Sequence, residues 1–370
     1  MSKKVAPLVK QRLVVPDKAT AARRDSIEIA GVSVVAGSRQ SIDIPLPSFY
    51  THSSASMPIH VVHGKQPGPC LLVSAALHGD ELNGVEILRR LLANKQIDRI
   101  IGTLIAIPVV NVFGFVSKSR YLPDRRDLNR SFPGSETGSL ASRLANIIMT
   151  EIIPHCTHLI DLHTGAINRE NLPQIRAKLT DAPVTESMAR AFGVPVILNS
   201  ELLDGSFRSA ASERDIPALL YEGGEALRFD EFAIRAGLNG VLEVMSHLGM
   251  RRKSRKTRSV NSMIANTSQW LRAPQSGILR ALVATGTQVE ENDVLAYIHD
   301  PLGENSEELR SPVSGIIIGK TNLPLVFEGE AIFNVARYEA AGEVSDHIEA
   351  YQEEHHPLTD NSERDEPPLV

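Results

Sequence analysis

Between residue 70 and about residue 248 the chain repeats one pattern: a short apolar run, a turn, then an amphipathic helix. "CLLVSAAL" precedes "NGVEILRRLLANK", in which Val85, Leu88, Leu91 and Leu92 fall on one helical face. "GTLIAIPVV" reads as a second buried strand, "SLASRLANIIMTEII" as a helix and "THLIDLH" as a third strand. "APVTESMARAFG" and "VPVILN" repeat helix and strand, and "IPALLYEGG" leads into the long helix "DEFAIRAGLNGVLEVMSHLG". Strands without a polar side need cover on both faces, and a helix after each strand supplies it. The expected fold is therefore α/β, with a mixed, largely parallel sheet flanked by helices over 55–250. Residues 1–54 read as a β-rich N-terminal extension containing the strands "DSIEIAGVSVVAG" and "RQSIDIPLPSF".

Downstream the chemistry changes. "RRKSRKTR" carries six positive residues of eight and opens a basic linker, 251–267. Residues 268–338 hold two stretches that echo each other, each with a Pro-x-x-Gly (Pro274 to Gly277, Pro312 to Gly315) before an apolar strand. They predict a small C-terminal all-β domain like a barrel-sandwich. A biotinyl or lipoyl carrier would need a lysine between the halves, and none occurs from Ala296 to Gly319. Residues 339–370 hold ten acidic side chains against one arginine and read as an acidic, partly disordered tail.

A formal net charge of −5 argues against nucleic acid as a partner. No apolar run approaches the ~18 residues of a membrane span. Two cysteines, Cys70 and Cys156, cannot form a disulfide framework and suit a reducing compartment, so a cytoplasmic location is expected. A homo-oligomer stays open.

Ligands of an open α/β sheet bind at the carboxyl ends of its strands. Polar signals stand at three such ends: His78 and Glu81 after "CLLVSAAL", His163 closing "THLIDLH", and Glu222 closing "IPALLYE". If these strands are neighbours, two imidazoles and a carboxylate share one crevice, the donor set of a catalytic zinc site. Gly223 and Gly224 would let a substrate approach Glu222. The loop "SKSRYLPDRRDLNRSFPG" is rich in arginine, including Arg120 and Arg130, and guanidinium groups bind carboxylates through a bidentate fork. Phe132 and Pro133 suggest that this loop is packed. His155 and His158 read as structural rather than as a second metal site.

"HGDE" at 78–81, "DLNR" at 127–130, "DLHTG" at 161–165 and "YEGGE" at 221–225 occur in that order. Together they resemble the succinylglutamate desuccinylase/aspartoacylase family, which is similar in fold to the zinc carboxypeptidases. The resemblance covers roughly 55–340. It implies one zinc per chain on His78, Glu81 and His163, with Glu222 as general acid/base. It implies that Arg120, Asn129 and Arg130 hold a substrate carboxylate, and that Asp127 hydrogen-bonds His78 and fixes its tautomer. The implied activity is hydrolysis of an N-acyl amino acid or related small anionic amide by metal-activated water. A metallocarboxypeptidase removing a C-terminal residue, acidic residues included, is the alternative; a β-domain over the cleft would exclude long chains.

Overall fold

The computed structural model describes residues 24–252, 262–338 and Tyr351. Most of the basic run and, Tyr351 apart, the acidic tail lie outside the described residues, as do the first 23 positions.

β1 (Ile27–Ile29) and β2 (Val32–Val34) form a hairpin whose turn, Ala30 and Gly31, has positive φ at both positions. β3 (Ser38–Leu46) then pairs antiparallel with β4 (Ala55–His63) along its whole length. Residues 38–46 thus form the edge of the main sheet. Next come β5 (Cys70–Ala75), α1 (Asn83–Ala93), β6 (Thr103–Ile107), α2 (Val112–Ser117), α3 (Leu140–Glu151) and β7 (His158–His163). β8 (Arg169–Ala177), α4 (Pro183–Phe192), β9 (Val196–Asn199), α5 (Phe207–Ser212), β10 (Ala218–Gly224) and α6 (Glu231–His247) complete the α/β region.

The centre of the sheet is parallel, in the order β10-β7-β5-β6, with antiparallel strands on both sides. Every residue of β5 is buried, as expected of a strand covered on both faces. Leu71 and Val73 pack on one face with the core of α1, α4 and α6, and Leu72 packs on the other with α3 and α5.

The buried face of α1 differs from the expected one. It runs through Gly84, Ile87, Leu88 and Leu91, leaving Val85 and Leu92 half-buried. The reason lies at Gly84. A Cβ there would come within 2.8 Å of the Cβ atoms of both Ala75 and Leu162. The helix therefore sits on β5 and β7 through a residue that carries no apolar side chain to mark the face.

β11 (Met263–Ala265) lies inside the stretch expected to be a linker, yet it pairs parallel with β9. β12 (Thr267–Arg272), β13 (Gly277–Ala281), β14 (Gln288–Val289), β15 (Val294–His299) and β16 (Ser306–Arg310) follow. β17 (Gly315–Thr321), β18 (Leu325–Val326) and β19 (Ala331–Arg337) end the described strands. β13, β15, β16 and β18 form their own four-stranded sheet over a separate core that includes Leu279, Leu295, Ile298 and Phe333. β17 pairs with β8, so β12, β19 and β17 extend the central sheet, and the C-terminal region is joined to the α/β region strand by strand. Of the tail, Tyr351 packs edge-on against Phe232.

Candidate metal centre and active-site cleft

β5, β7 and β10 are adjacent and parallel, so their carboxyl ends open on one crevice. Glu222 is the direct register partner of His163, and Ala75 pairs with Leu162. The chain leaves β5 through Ala76 at positive φ, and the following turn returns His78 and Glu81 to the same place.

His78, Glu81 and His163 are all buried, and one ligand atom of each lies within 4.8 Å of the others. The Glu81 carboxylate stands between the imidazoles: Oε1 is 2.6 Å from His78 Nδ1 and Oε2 is 2.7 Å from His163 Nδ1. The Thr164 N–H donates to Oε2 at 3.2 Å, which steadies the carboxylate. Each ring is held from behind through its other nitrogen. His78 Nε2 meets Asp127 at 3.2 Å, and His163 Nε2 meets Asp161 at 2.7 Å. Asp161 in turn accepts from the Ser74 hydroxyl at 2.7 Å. Two imidazoles presenting Nδ1 to one point, each with a carboxylate behind it, is a donor set that fits zinc.

The electrostatics agree. Burial alone would lower the His78 and His163 pKa values, but Glu81 with Asp127, and Asp161 with Glu81, outweigh it and raise both. Burial would raise Glu81, but the two histidines hold it well below the usual carboxylate range. The carboxylates around the two rings thus favour positive charge within the cluster.

Glu222 lines the same cleft, of about 270 Å³. Asn171 Nδ2 donates to its Oε2, and Arg176 Nε lies 3.4 Å from its Oε1. Gly223 and Gly224 beside it are closely packed. Asn83 Nδ2 donates to the Gly223 carbonyl at 3.0 Å, and Gly224, at φ +75°, has Asn83 and Asp230 where a Cβ would stand.

The arginine loop is packed, as expected: Leu128, Asn129 and Phe132 are buried, and Phe132 stacks on Phe207. Arg120, Asn129 and Arg130 all line the cleft, and each also has a partner within the protein. Arg120 lines the cleft, yet its guanidinium is bonded to Asp127 at 3.0 Å and reaches Glu81 at 3.4 Å. It braces the residues around His78. Asn129 lends its side-chain oxygen to the Phe207 N–H at 2.9 Å, and Arg130, exposed at the cleft, donates to the Asn129 carbonyl.

The cleft also holds residues that the sequence reading did not single out. Arg208, on α5, is 6% exposed and has no carboxylate within ion-pair distance among the described residues. Burial pushes its pKa down to about 10. Asn171, Arg169 and Arg176 come from β8, a strand not anticipated, and Trp270 comes from β12.

A His–Glu–His cluster at the carboxyl edge of a parallel sheet is the arrangement of a metal-dependent hydrolase. Residues 67–248 match the succinylglutamate desuccinylase/aspartoacylase catalytic domain. N-alpha-acetyl-L-2,4-diaminobutyric acid deacetylase of Halomonas elongata is 25% identical over 294 residues, 76% of this chain and 85% of that protein. The crystal structure of a succinylglutamate desuccinylase/aspartoacylase from Rhodobacter sphaeroides superposes with a TM-score of 0.72 at 25% identity, covering 85% of this chain and 96% of that one. The fold is also shared by the product-bound ectoine utilization protein EutE (DoeB) of Ruegeria pomeroyi. That match has a TM-score of 0.73 at 22% identity, over 88% of this chain and 98% of that one. Through this domain the chain is similar to the succinylglutamate desuccinylase/aspartoacylase family.

Proposed function

We propose that the protein is a zinc-dependent deacylase, cleaving the amide bond of a small N-acyl amine that carries a carboxylate. The observation that carries this reading is the convergence of His78, Glu81 and His163, backed by Asp127 and Asp161, in one cleft with Glu222. A zinc ion held there would supply Lewis acidity, polarising the acyl carbonyl and lowering the pKa of a nearby water. Glu222 is the base: it takes a proton from the attacking water and returns it to the leaving nitrogen. Asn171 hydrogen-bonds one of its carboxylate oxygens, and the Arg176 guanidinium stands 3.4 Å from the other. Asp127 and Asp161 hold the imidazoles in the tautomer that leaves Nδ1 free to ligate. Arg208, a buried cation with no carboxylate within ion-pair distance among the described residues, suits a substrate carboxylate, with Arg130 at the open side.

The alternative is a metallocarboxypeptidase. A cleft of about 270 Å³, walled on one side by Trp270, favours a small amide over a peptide. Among the described residues no helix is long and apolar enough to cross a membrane.

The test is amine release from a panel of N-acetyl amino acids and N-acetyl dipeptides, with zinc content measured on the same sample. Turnover of the N-acetyl amino acids supports the reading. Turnover confined to loss of the C-terminal residue of the dipeptides would favour the alternative.

A further inference from the structure

Arg208 is a wall between two cavities. On one side lies the cleft with the metal centre. On the other lies a second cavity of about 320 Å³, and among the described residues Arg208 alone lines both. One ribbon of sheet underlies the two. Arg176 and Leu220 are register partners on β8 and β10 and line the cleft. Two residues away along each chain, Lys178 and Ala218 line the second cavity. Alternate residues of a strand share a face, so both cavities lie on one side of this ribbon. Ser212, one turn after Arg208 on α5, lines the second cavity as well.

A guanidinium carries five donors in a planar fork. Arg208 turns one of them toward the Ser200 hydroxyl, 3.4 Å away, and has no carboxylate within ion-pair distance among the described residues. A carboxylate can therefore approach it from either cavity. The second cavity differs from the cleft in its other charges. Lys178 adds a cation, and Asp181 and Asp215 are exposed where they line it, all three without an ion pair among the described residues. Val184, Leu202 and Ile216 supply apolar wall. Cations, carboxylates and apolar wall in so small a space suit a zwitterion with a short side chain, which is a free α-amino acid.

Hydrolysis creates that species. In an N-acyl amino acid the nitrogen is an uncharged amide; in the released product it is an ammonium. Asp181 and Asp215 have a charge to meet only in the product.

We propose that the second cavity binds the free amino acid released by the reaction, with its carboxylate on Arg208 and Lys178 and its ammonium on Asp181 and Asp215. This rests on the deacylase reading above and adds a feedback control to it. An Arg208 engaged from behind by product holds the substrate carboxylate less well, so product raises KM. By reciprocity, substrate in the cleft loosens the product.

The experiment measures inhibition of N-acetyl amino acid hydrolysis by the matching free amino acid. Wild type is compared with Lys178→Met and with the double variant Asp181→Asn/Asp215→Asn. Both aspartates have φ +55°, a conformation that asparagine tolerates. None of the three residues lines the cleft, so kcat and KM without inhibitor should keep their wild-type values. The inhibition constant should rise about threefold in Lys178→Met and about tenfold in the double variant, the range of one and two exposed ion pairs. The carboxylic acid that lacks the amino group should inhibit wild type more weakly and lose nothing further in the double variant. The proteinogenic L-amino acids are also titrated calorimetrically into zinc-loaded Glu222→Gln protein, with and without the two aspartate substitutions. If wild type hydrolyses no N-acetyl amino acid, the deacylase reading fails, and the titrations still decide on the cavity. Binding that the aspartate substitutions weaken supports the proposal. Absence of binding, or binding and inhibition that those substitutions leave unchanged, as product in the cleft alone would give, overturns it.

Discussion

Asp161 and His163 stand two residues apart on β7, and the carboxylate of the first meets Nε2 of the second at 2.7 Å. Alternate residues of a strand share a face, so the strand itself delivers the partner that orients the ring. Asp161→Asn keeps the shape but weakens the acceptor. Zinc affinity should fall by about 10- to 100-fold, read by chelator competition. An unchanged affinity would show that Asp161 does not support the ligand.

Zinc should tie α1, β5 and β7 together and so stabilise the fold. At free zinc about 100 times Kd a bound metal contributes ~2.7 kcal/mol, and chelation should lower the melting temperature accordingly. His78→Ala and His163→Ala should lose most of the metal and no longer respond to chelator. Full zinc retention in both variants would sink the assignment.

Glu222→Gln preserves the contact with Arg176 in shape and removes the base. The turnover number should drop at least ~100-fold while zinc content stays at one per chain. A near-normal rate would mean that another group takes the proton.

Arg208 predicts opposite effects on stability and function. A buried cation with no carboxylate within ion-pair distance among the described residues costs stability, so Arg208→Met should raise stability, by on the order of 1 kcal/mol. The same change should weaken handling of carboxylate-bearing substrates by about 1.5 to 3 kcal/mol. Thermal melts and KM on the same variant test both. A variant that is less stable and equally active contradicts the assignment.

Gly84→Ala tests the packing of α1. The added Cβ would press on Ala75 and Leu162 at 2.8 Å each. Overpacking of this kind costs about 1–3 kcal/mol, which outweighs alanine's better helix propensity. A melting temperature at or above wild type would show that the helix shifts without cost.

The three ligand candidates and Glu222 could be read from the sequence because each ends or closely follows a recognisable apolar strand, and a polar residue there has few other uses. Asp127 followed from the resemblance, and the structure does set it against His78. The rest was hidden for physical reasons. "RENLPQIRA" shows no clean alternation, because its polar side chains serve the cleft: Asn171 and Arg176 reach Glu222, and Arg169 meets Trp270. Without β8 as a strand, none of the three could be placed. Arg208 sits on a helix of six residues, too short for its periodicity to stand out. Arg120 looked free for substrate because its acidic partners, Asp127 and Glu81, approach it only in the folded chain.

The most direct test of the account is reconstitution. Metal-free protein is titrated with zinc, and release of amine from an N-acetyl amino acid that the wild-type protein hydrolyses is followed at each step. Activity should rise linearly to a break at about one equivalent, as a single three-ligand site requires, and Glu222→Gln should bind the same equivalent without gaining activity. Hydrolysis by the metal-free protein, or full activity in zinc-loaded Glu222→Gln, would contradict the pairing of a zinc site at His78, Glu81 and His163 with Glu222 as its base.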